Sequence, residues 1–254
     1  MINPKELLTD ELYFANKDYF SVSLYKKYAN CELDGLQGFG EPTDSMLVGS
    51  YVDAYVSGDL DKFKKEHPEI ISTRGETKGQ LKKDFQKADE ICRFIDNDPI
   101  LQQFLSGDKQ TVMTGEIANI PFKIKIDSYS KGIAINDLKC MASITSKKGN
   151  YIDFITQYGY DIQLACYQEI VYQNTGERLP CFICAVTKET PINSAIINIP
   201  QHIMDIRLYE VQENLPRYYD IHRGLIQPSG CGHCKTCIKN RHETPIISME
   251  DIIA

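Results

Sequence analysis

Asp137-Leu138-Lys139 sets a carboxylate and an ammonium two residues apart in a stretch that reads as a β-strand. Side chains at that spacing leave one face of a strand about 6.6 Å apart, room enough for a metal ion and its water. Asp127, with nine residues between it and Asp137, closes an alternating segment in which Phe122, Ile124 and Ile126 interleave with Lys123, Lys125 and Asp127. Converging carboxylates suit Mg²⁺, which prefers oxygen ligands and keeps several waters. A divalent cation and a lysine together offset the charge that grows on a phosphoryl group and help activate a water. The chemistry within reach is hydrolysis of a phosphodiester. An Asp-x-Lys triplet is equally the makings of a surface ion pair on an edge strand, and at this point both readings stand.

These residues need a hairpin to bring them together. Ile133, Ile135, Asp137 and Lys139 share one strand face, and Ala134, Asn136 and Leu138 the other. The turn falls at Ser128-Tyr129-Ser130-Lys131-Gly132. If it is tight, Asp127 pairs near Ala134 and Asp137 lies about 10 Å further along, so the hairpin must bend, bulge or open around Gly132.

Around the hairpin, helices and strands follow from periodicity and caps. Ser21 or Ser23 caps a short helix through Tyr28, and Thr43 or Asp44 caps another that runs to Gly58. A helix over roughly 79–96 puts Leu81, Phe85, Ala88, Ile91 and Ile95 on one face. A further helix from about Tyr151 to Asn174 stops at Gly176. Strands at Cys181 to Thr187 and Ala195 to Ile199 lead to a long helix from about Gln201, interrupted or bent near Pro216. This order predicts an α/β fold, a central mixed β-sheet flanked by helices. With no repeat or linker in sight, residues 1–254 are expected to form one domain. Its parts are a helical region (1–105), a catalytic core (106–200), and a helix with a cysteine-rich tail (201–254).

The chain has 254 residues, 42% of them hydrophobic, and a formal net charge of −7. The charge argues against indiscriminate nucleic-acid binding, since phosphate contacts come from Lys and Arg. Local groups at Lys64-Lys65, Lys78 with Lys82-Lys83, and Lys147-Lys148 can line a basic groove or simply be solvated. No segment approaches the roughly 20 apolar residues of a membrane span. Met1-Ile2-Asn3-Pro4-Lys5-Glu6 does not open a secretory leader, so the expected location is the cytoplasm.

Three further motifs frame the carboxylates: Leu47-Val48-Gly49-Ser50-Tyr51-Val52-Asp53, Thr114-Gly115-Glu116, and Gln163-Leu164-Ala165-Cys166-Tyr167. Gln163 and Tyr167 stand on one helical face. With Ile126-Asp127 and Ile135-Asn136-Asp137-Leu138-Lys139, the chain resembles the PD-(D/E)xK nuclease superfamily, in its RecE-like and RecB-like exonuclease branch. The resemblance spans residues 47 to 167 and implies a restriction-endonuclease-like core. It further implies that Asp127, Asp137 and the Leu138 backbone carbonyl hold Mg²⁺ or Mn²⁺, that Lys139 serves the attacking water, and that Gln163 and Tyr167 position the site or the DNA. Asp53 stands where many relatives have His, and Glu116 matches another acidic position; each is a further metal ligand or an ordinary exposed residue.

Nine cysteines in a chain of this length are expected to be free thiols, and Cys92, Cys140, Cys166, Cys181 and Cys184 read as small core residues. Cys231-Gly232-His233-Cys234-Lys235-Thr236-Cys237 differs: two overlapping C-x-x-C units suit a [4Fe-4S] cluster or Zn²⁺, unless they are free thiols too. The resemblance to RecB-like nucleases adds Cys31 as the fourth ligand. The RecE-like resemblance implies an exodeoxyribonuclease acting on duplex DNA ends in phage-type recombination or repair, with a homo-oligomeric ring and a RecT-like single-strand annealing protein as partners. The alternatives are a single-strand-specific iron-sulfur exonuclease and a catalytically weak DNA-binding adaptor.

Overall fold

The computed structural model describes residues 10–241, 243–244, 246 and 248–249. The segment Met1 to Glu6, read above for a leader, lies outside them. The first part of the chain comprises α1 (Asp10–Ala15), β1 (Phe20–Ser21), α2 (Val22–Asn30), α3 (Glu32–Gly35), α4 (Asp44–Ser57), α5 (Leu60–Glu66), α6 (Lys83–Asn97) and α7 (Pro99–Phe104). There follow β2 (Asp108–Ile117), β3 (Ile120–Ser130), β4 (Ala134–Met141), α8 (Phe154–Tyr158), α9 (Tyr160–Thr175), β5 (Cys181–Thr187), β6 (Ser194–Ile199), α10 (Gln201–His222) and α11 (Lys235–Lys239).

Caps account for several boundaries. Ser21 accepts from the Leu24 N–H at the start of α2, Thr43 from Met46 N–H at the start of α4, and left-handed Gly58 closes α4. The helix expected over 151–174 is instead two, because Gly159 adopts φ 62° and turns the chain between α8 and α9. The helix expected from 79 begins only at Lys83, since Leu81 is bridged to Ile71 in extended conformation. The long C-terminal helix is not interrupted: α10 runs through Pro216.

The six strands form one mixed sheet in the order β1-β3-β4-β5-β6, with β2 also paired to β3. Ala118 and Asn119, both at positive φ, join β2 to β3 in a two-residue turn, after which the ladder runs to Asp108↔Tyr129. The crossover through α8 and α9 returns β5 parallel to β4. One helical layer, with α2, α9 and α10, packs on Phe122, Ile124, Ile126, Ile135 and Ile183; the other, with α4 and α6, packs on Leu138, Cys184 and Val186.

The opposite edge of β3 is divided between two partners. It pairs antiparallel with β4 only at Ser128↔Asn136, Tyr129↔Ile135 and Ser130↔Ala134, and parallel with β1 at Phe122↔Phe20 and Lys123↔Ser21. Residues 124–127 lie in the fork where β4 has left and β1 has not yet joined. The turn is thus Lys131 to Ile133, with Gly132 at φ 70°, later than the sequence suggested, and Ile133 is exposed on the turn instead of sharing the Asp137 face. Carried one step beyond the ladder, the observed register sets Asp127 opposite Asp137.

Candidate active site

Side-chain alternation in β3 reverses at Asp127. Ile126 packs under α9 and α10, whereas the Ser128 hydroxyl donates to the Phe104 carbonyl at 3.1 Å on the other side of the sheet. Asp127 sits at this reversal, and its Oδ2 accepts from Leu138 N–H at 2.9 Å, replacing the strand pairing that lapses there. Its neighbour across the fork, Asp137, is fully buried: Oδ1 accepts from Gln163 Nε2 at 2.6 Å, and Oδ2 is ion-paired with the Lys139 ammonium. Gln163 comes from the first turn of α9, which Gly159 aims at the fork. Tyr167, one turn further, lies within electrostatic reach of both carboxylates.

From the opposite layer, Asp53 on α4 accepts from Gln110 Nε2 at 3.1 and 3.2 Å. Gln110 faces Asp127 across a break in the β2–β3 ladder and has φ 50°, strain for a non-glycine residue that stays where its surroundings hold it. The fork therefore gathers Asp53, Asp127, Asp137, Lys139, Gln163 and Tyr167. Glu116 is not among them. It is exposed, pairs with Pro121 at the far end of β2, and is six residues or roughly 20 Å from Gln110 along the strand.

Burial is the largest influence on the Asp127 carboxyl and raises its pKa well above the usual range; Asp137 and Asp53 add to the rise, while Lys139 and the Leu138 N–H oppose it. Burial alone would lower the Lys139 pKa, but Asp137 and Asp127 outweigh it, and the net shift is upward, so Lys139 is a fixed cation. Burial, with Tyr13 and the two carboxylates, also raises Tyr167 far above neutrality and keeps its hydroxyl protonated. Buried and mutually repelling acids beside a cation are a site short of positive charge, which is what a divalent ion supplies.

A consequence is measurable without substrate. A carboxyl whose pKa is raised by folding stabilises the protein fully below its ordinary pKa, and that contribution is lost as pH rises through the raised value. The metal-free protein should therefore lose stability on Asp127's account as pH rises above the ordinary carboxylate range. Asp127→Asn, which keeps an acceptor for Leu138 N–H, should melt higher than wild type at neutral pH in chelator. Thermal melts across pH with and without Mn²⁺ check this, and an unchanged or lower melting temperature for the variant refutes it.

Sequence reasoning missed several neighbours. Lys26 on α2 donates to the Tyr158 carbonyl at 3.0 Å, and both Lys26 and Lys139 lie over the Tyr160 ring, at 5.5 and 5.1 Å. Burial, then repulsion from Lys139, lowers the Lys26 pKa to about 8. Lys109 on β2 is within electrostatic reach of Asp53 and Asp127. None carried a sequence signal; Gly159 before Tyr160 was the nearest thing to one.

Residues 21–240 match the PDDEXK-like domain of unknown function (DUF3799). The chain belongs to this PDDEXK-like family. A solved structure from Eubacterium rectale, described as that of a candidate exonuclease, is 43% identical over 97% of this chain and 98% of that chain, with a TM-score of 0.86. A second, SSO0001, is 16% identical over 76% of this chain and 84% of that one, with a TM-score of 0.29. No curated protein matches. This PDDEXK-like chain is thus a nuclease by family. No helix among its described residues is long and apolar enough to cross a membrane.

Away from the fork, Cys31 at the α2–α3 junction lies beside Cys231, Cys234 and Cys237, all four with their sulfurs within 4.8 Å of one another. The N-terminal cysteine and the cysteine tail thus meet in space. Cys92, Cys166, Cys181 and Cys184 are buried free thiols and Cys140 is half-buried.

Proposed function

We propose that this protein is a metal-dependent exodeoxyribonuclease that hydrolyses duplex DNA from its ends, as one nuclease domain in the cytoplasm. The observation that carries the reading is the convergence of Asp127 and Asp137 with Lys139 at the β3–β4 fork, supported by the kinship with the Eubacterium rectale protein described as a candidate exonuclease. Asp127, Asp137 and the Leu138 carbonyl would hold Mg²⁺ or Mn²⁺, with Asp53 near enough to contribute. Such an ion supplies Lewis acidity and lowers the pKa of a bound water.

The chain's own residues do the rest. Gln163 fixes one oxygen of Asp137 and leaves the other toward Lys139. Lys139, held protonated, faces the phosphoryl oxygens as a positive charge instead of serving as a base. Tyr167, held neutral, offers a hydroxyl to the acidic cluster or the substrate. Lys26 sets a second cation beside Tyr160, in a chain that is otherwise acidic. Phage-type recombination or repair, a ring-shaped homo-oligomer and a RecT-like annealing partner complete the proposal.

Linear duplex DNA should be consumed from its ends in Mg²⁺ or Mn²⁺, while covalently closed circles survive and chelator stops all cleavage. End-labelled substrates then give polarity and the predicted 5′-phosphate products. Equal digestion of closed circles would make the enzyme an endonuclease, and inertness in both metals would leave a DNA-binding adaptor.

A further inference from the structure

We propose that Cys31, Cys231, Cys234 and Cys237 hold a single tetrahedral zinc ion, and not the four-iron cluster that the nuclease resemblance implies. The size of the cage decides between them. Cys31 and Cys237 sulfurs are 3.5 Å apart, those of Cys231 and Cys237 3.9 Å, and no pair of the four exceeds 4.8 Å. Four thiolates around one ion with bonds of about 2.3 Å form a tetrahedron with edges of about 3.8 Å. In a cubane each thiolate ends on its own iron, and with bonds of similar length the four sulfurs stand roughly 6–7 Å apart. The inner core of four irons and four sulfides has no room between these cysteines.

The surroundings fit a closed thiolate centre. Backbone N–H groups donate to three of the sulfurs: Cys231 to Cys31 at 3.4 Å, Cys234 to Cys231 at 3.3 Å, and Cys237 to Cys234 at 3.4 Å. Such bonds offset the negative charge that four thiolates bring to a dication and fix their directions. Each thiolate is a free cysteine, at separations far beyond a disulfide bond. A cage of this size excludes a multi-iron cluster and leaves a single tetrahedral ion, for which a closed four-cysteine set is the usual structural zinc site; a lone iron would fit the same cage and is told apart by elemental analysis. With all four positions taken by protein, the ion has no place for a reactive water, and its role is structural.

The clasp also has a mechanical consequence. Glu32, next to Cys31, accepts from Arg217 Nε and Nη2 at 2.6 and 2.8 Å and from the Ser229 N–H and hydroxyl, each at 2.7 Å. The ion would therefore fasten the α2–α3 junction to α10 and α11, and α2 is the helix that brings Lys26 beside Lys139. The assignment stands apart from the nuclease reading, because metal content is measured without DNA.

The test uses the full chain, purified anaerobically without added metal. Elemental analysis should find about one zinc per chain with no acid-labile sulfide, in colourless protein. Co²⁺ exchanged into the site should give the intense visible bands of tetrahedral thiolate coordination, and a strong chelator should lower the melting temperature. Cys234→Ser should lose the zinc; because that variant can fail to fold, the wild-type measurements suffice alone. Iron in any form at stoichiometric amount, or metal-free protein that neither takes up zinc nor changes its melting temperature with chelator, overturns the proposal.

Discussion

Lys139→Ala is expected to lower kcat by about 10²–10³-fold, the usual loss when one preorganised charge aimed at a transition state is removed. The same variant should bind Mn²⁺ as tightly as wild type or more so. In the metal-free protein the Lys139 ammonium occupies Oδ2 of fully buried Asp137, so the lysine and an incoming cation compete for one oxygen. Steady-state cleavage and Mn²⁺ calorimetry check the two halves separately. Turnover like that of wild type would reduce Lys139 to an ion-pair partner of Asp137. Lost Mn²⁺ binding would instead mean that the lysine builds the metal site, and that its removal lets the Asp137 carboxylate collapse.

Arg207→Ala is expected to destabilise the fold by about 3–5 kcal/mol, because it strands a buried charge. Asp161, in the first turn of α9 and almost fully buried, accepts from Arg207 Nε at 2.6 Å, and Arg207 Nη1 reaches Glu210 at 2.8 Å within α10. The pair pins α10 to the end of α9 that carries Tyr160, Gln163 and Tyr167. At about 2–4 °C per kcal/mol for a domain of this size, the melting temperature should fall by roughly 10 °C. Combining Arg207→Met with Asp161→Asn should recover much of the loss, since a neutral pair leaves no stranded charge. A single variant that melts within about 2 °C of wild type would show that water reaches and solvates Asp161.

Much of the architecture is local and therefore legible in the sequence. Ser21 and Thr43, each one of two cap candidates in the sequence, cap α2 and α4, because a cap is set by residues within one turn. The alternation from Phe122 to Ile126 and the apolar run of β5 specify strands whatever they pair with. Asp127, Asp137 and Lys139 were legible from strand alternation and spacing, and Cys231, Cys234 and Cys237 from theirs, whereas Gln163, Tyr167 and Cys31 came with the family resemblance. Of the two readings open for Glu116 the exposed one holds, because its distance from the fork depends on strand direction, which spacing does not carry.

Three decisions belonged to tertiary structure alone. The hairpin register depends on where β4 leaves β3 for β5, so the roughly 10 Å gap between the carboxylates vanishes only when the turn moves to Lys131–Ile133. The left-handed Gly159 sets Tyr160 beneath Lys139, and α2 crosses over to bring Lys26 to the same ring, the second a contact between residues more than a hundred positions apart. The spacing of the tail named thiolates without saying how far apart they stand; that distance, which separates one ion from a cubane, is fixed by how the α2–α3 junction packs against the far end of the chain. Side-chain type and local period are written in the sequence, whereas distances between remote residues follow from packing the whole sheet and its two helical layers at once.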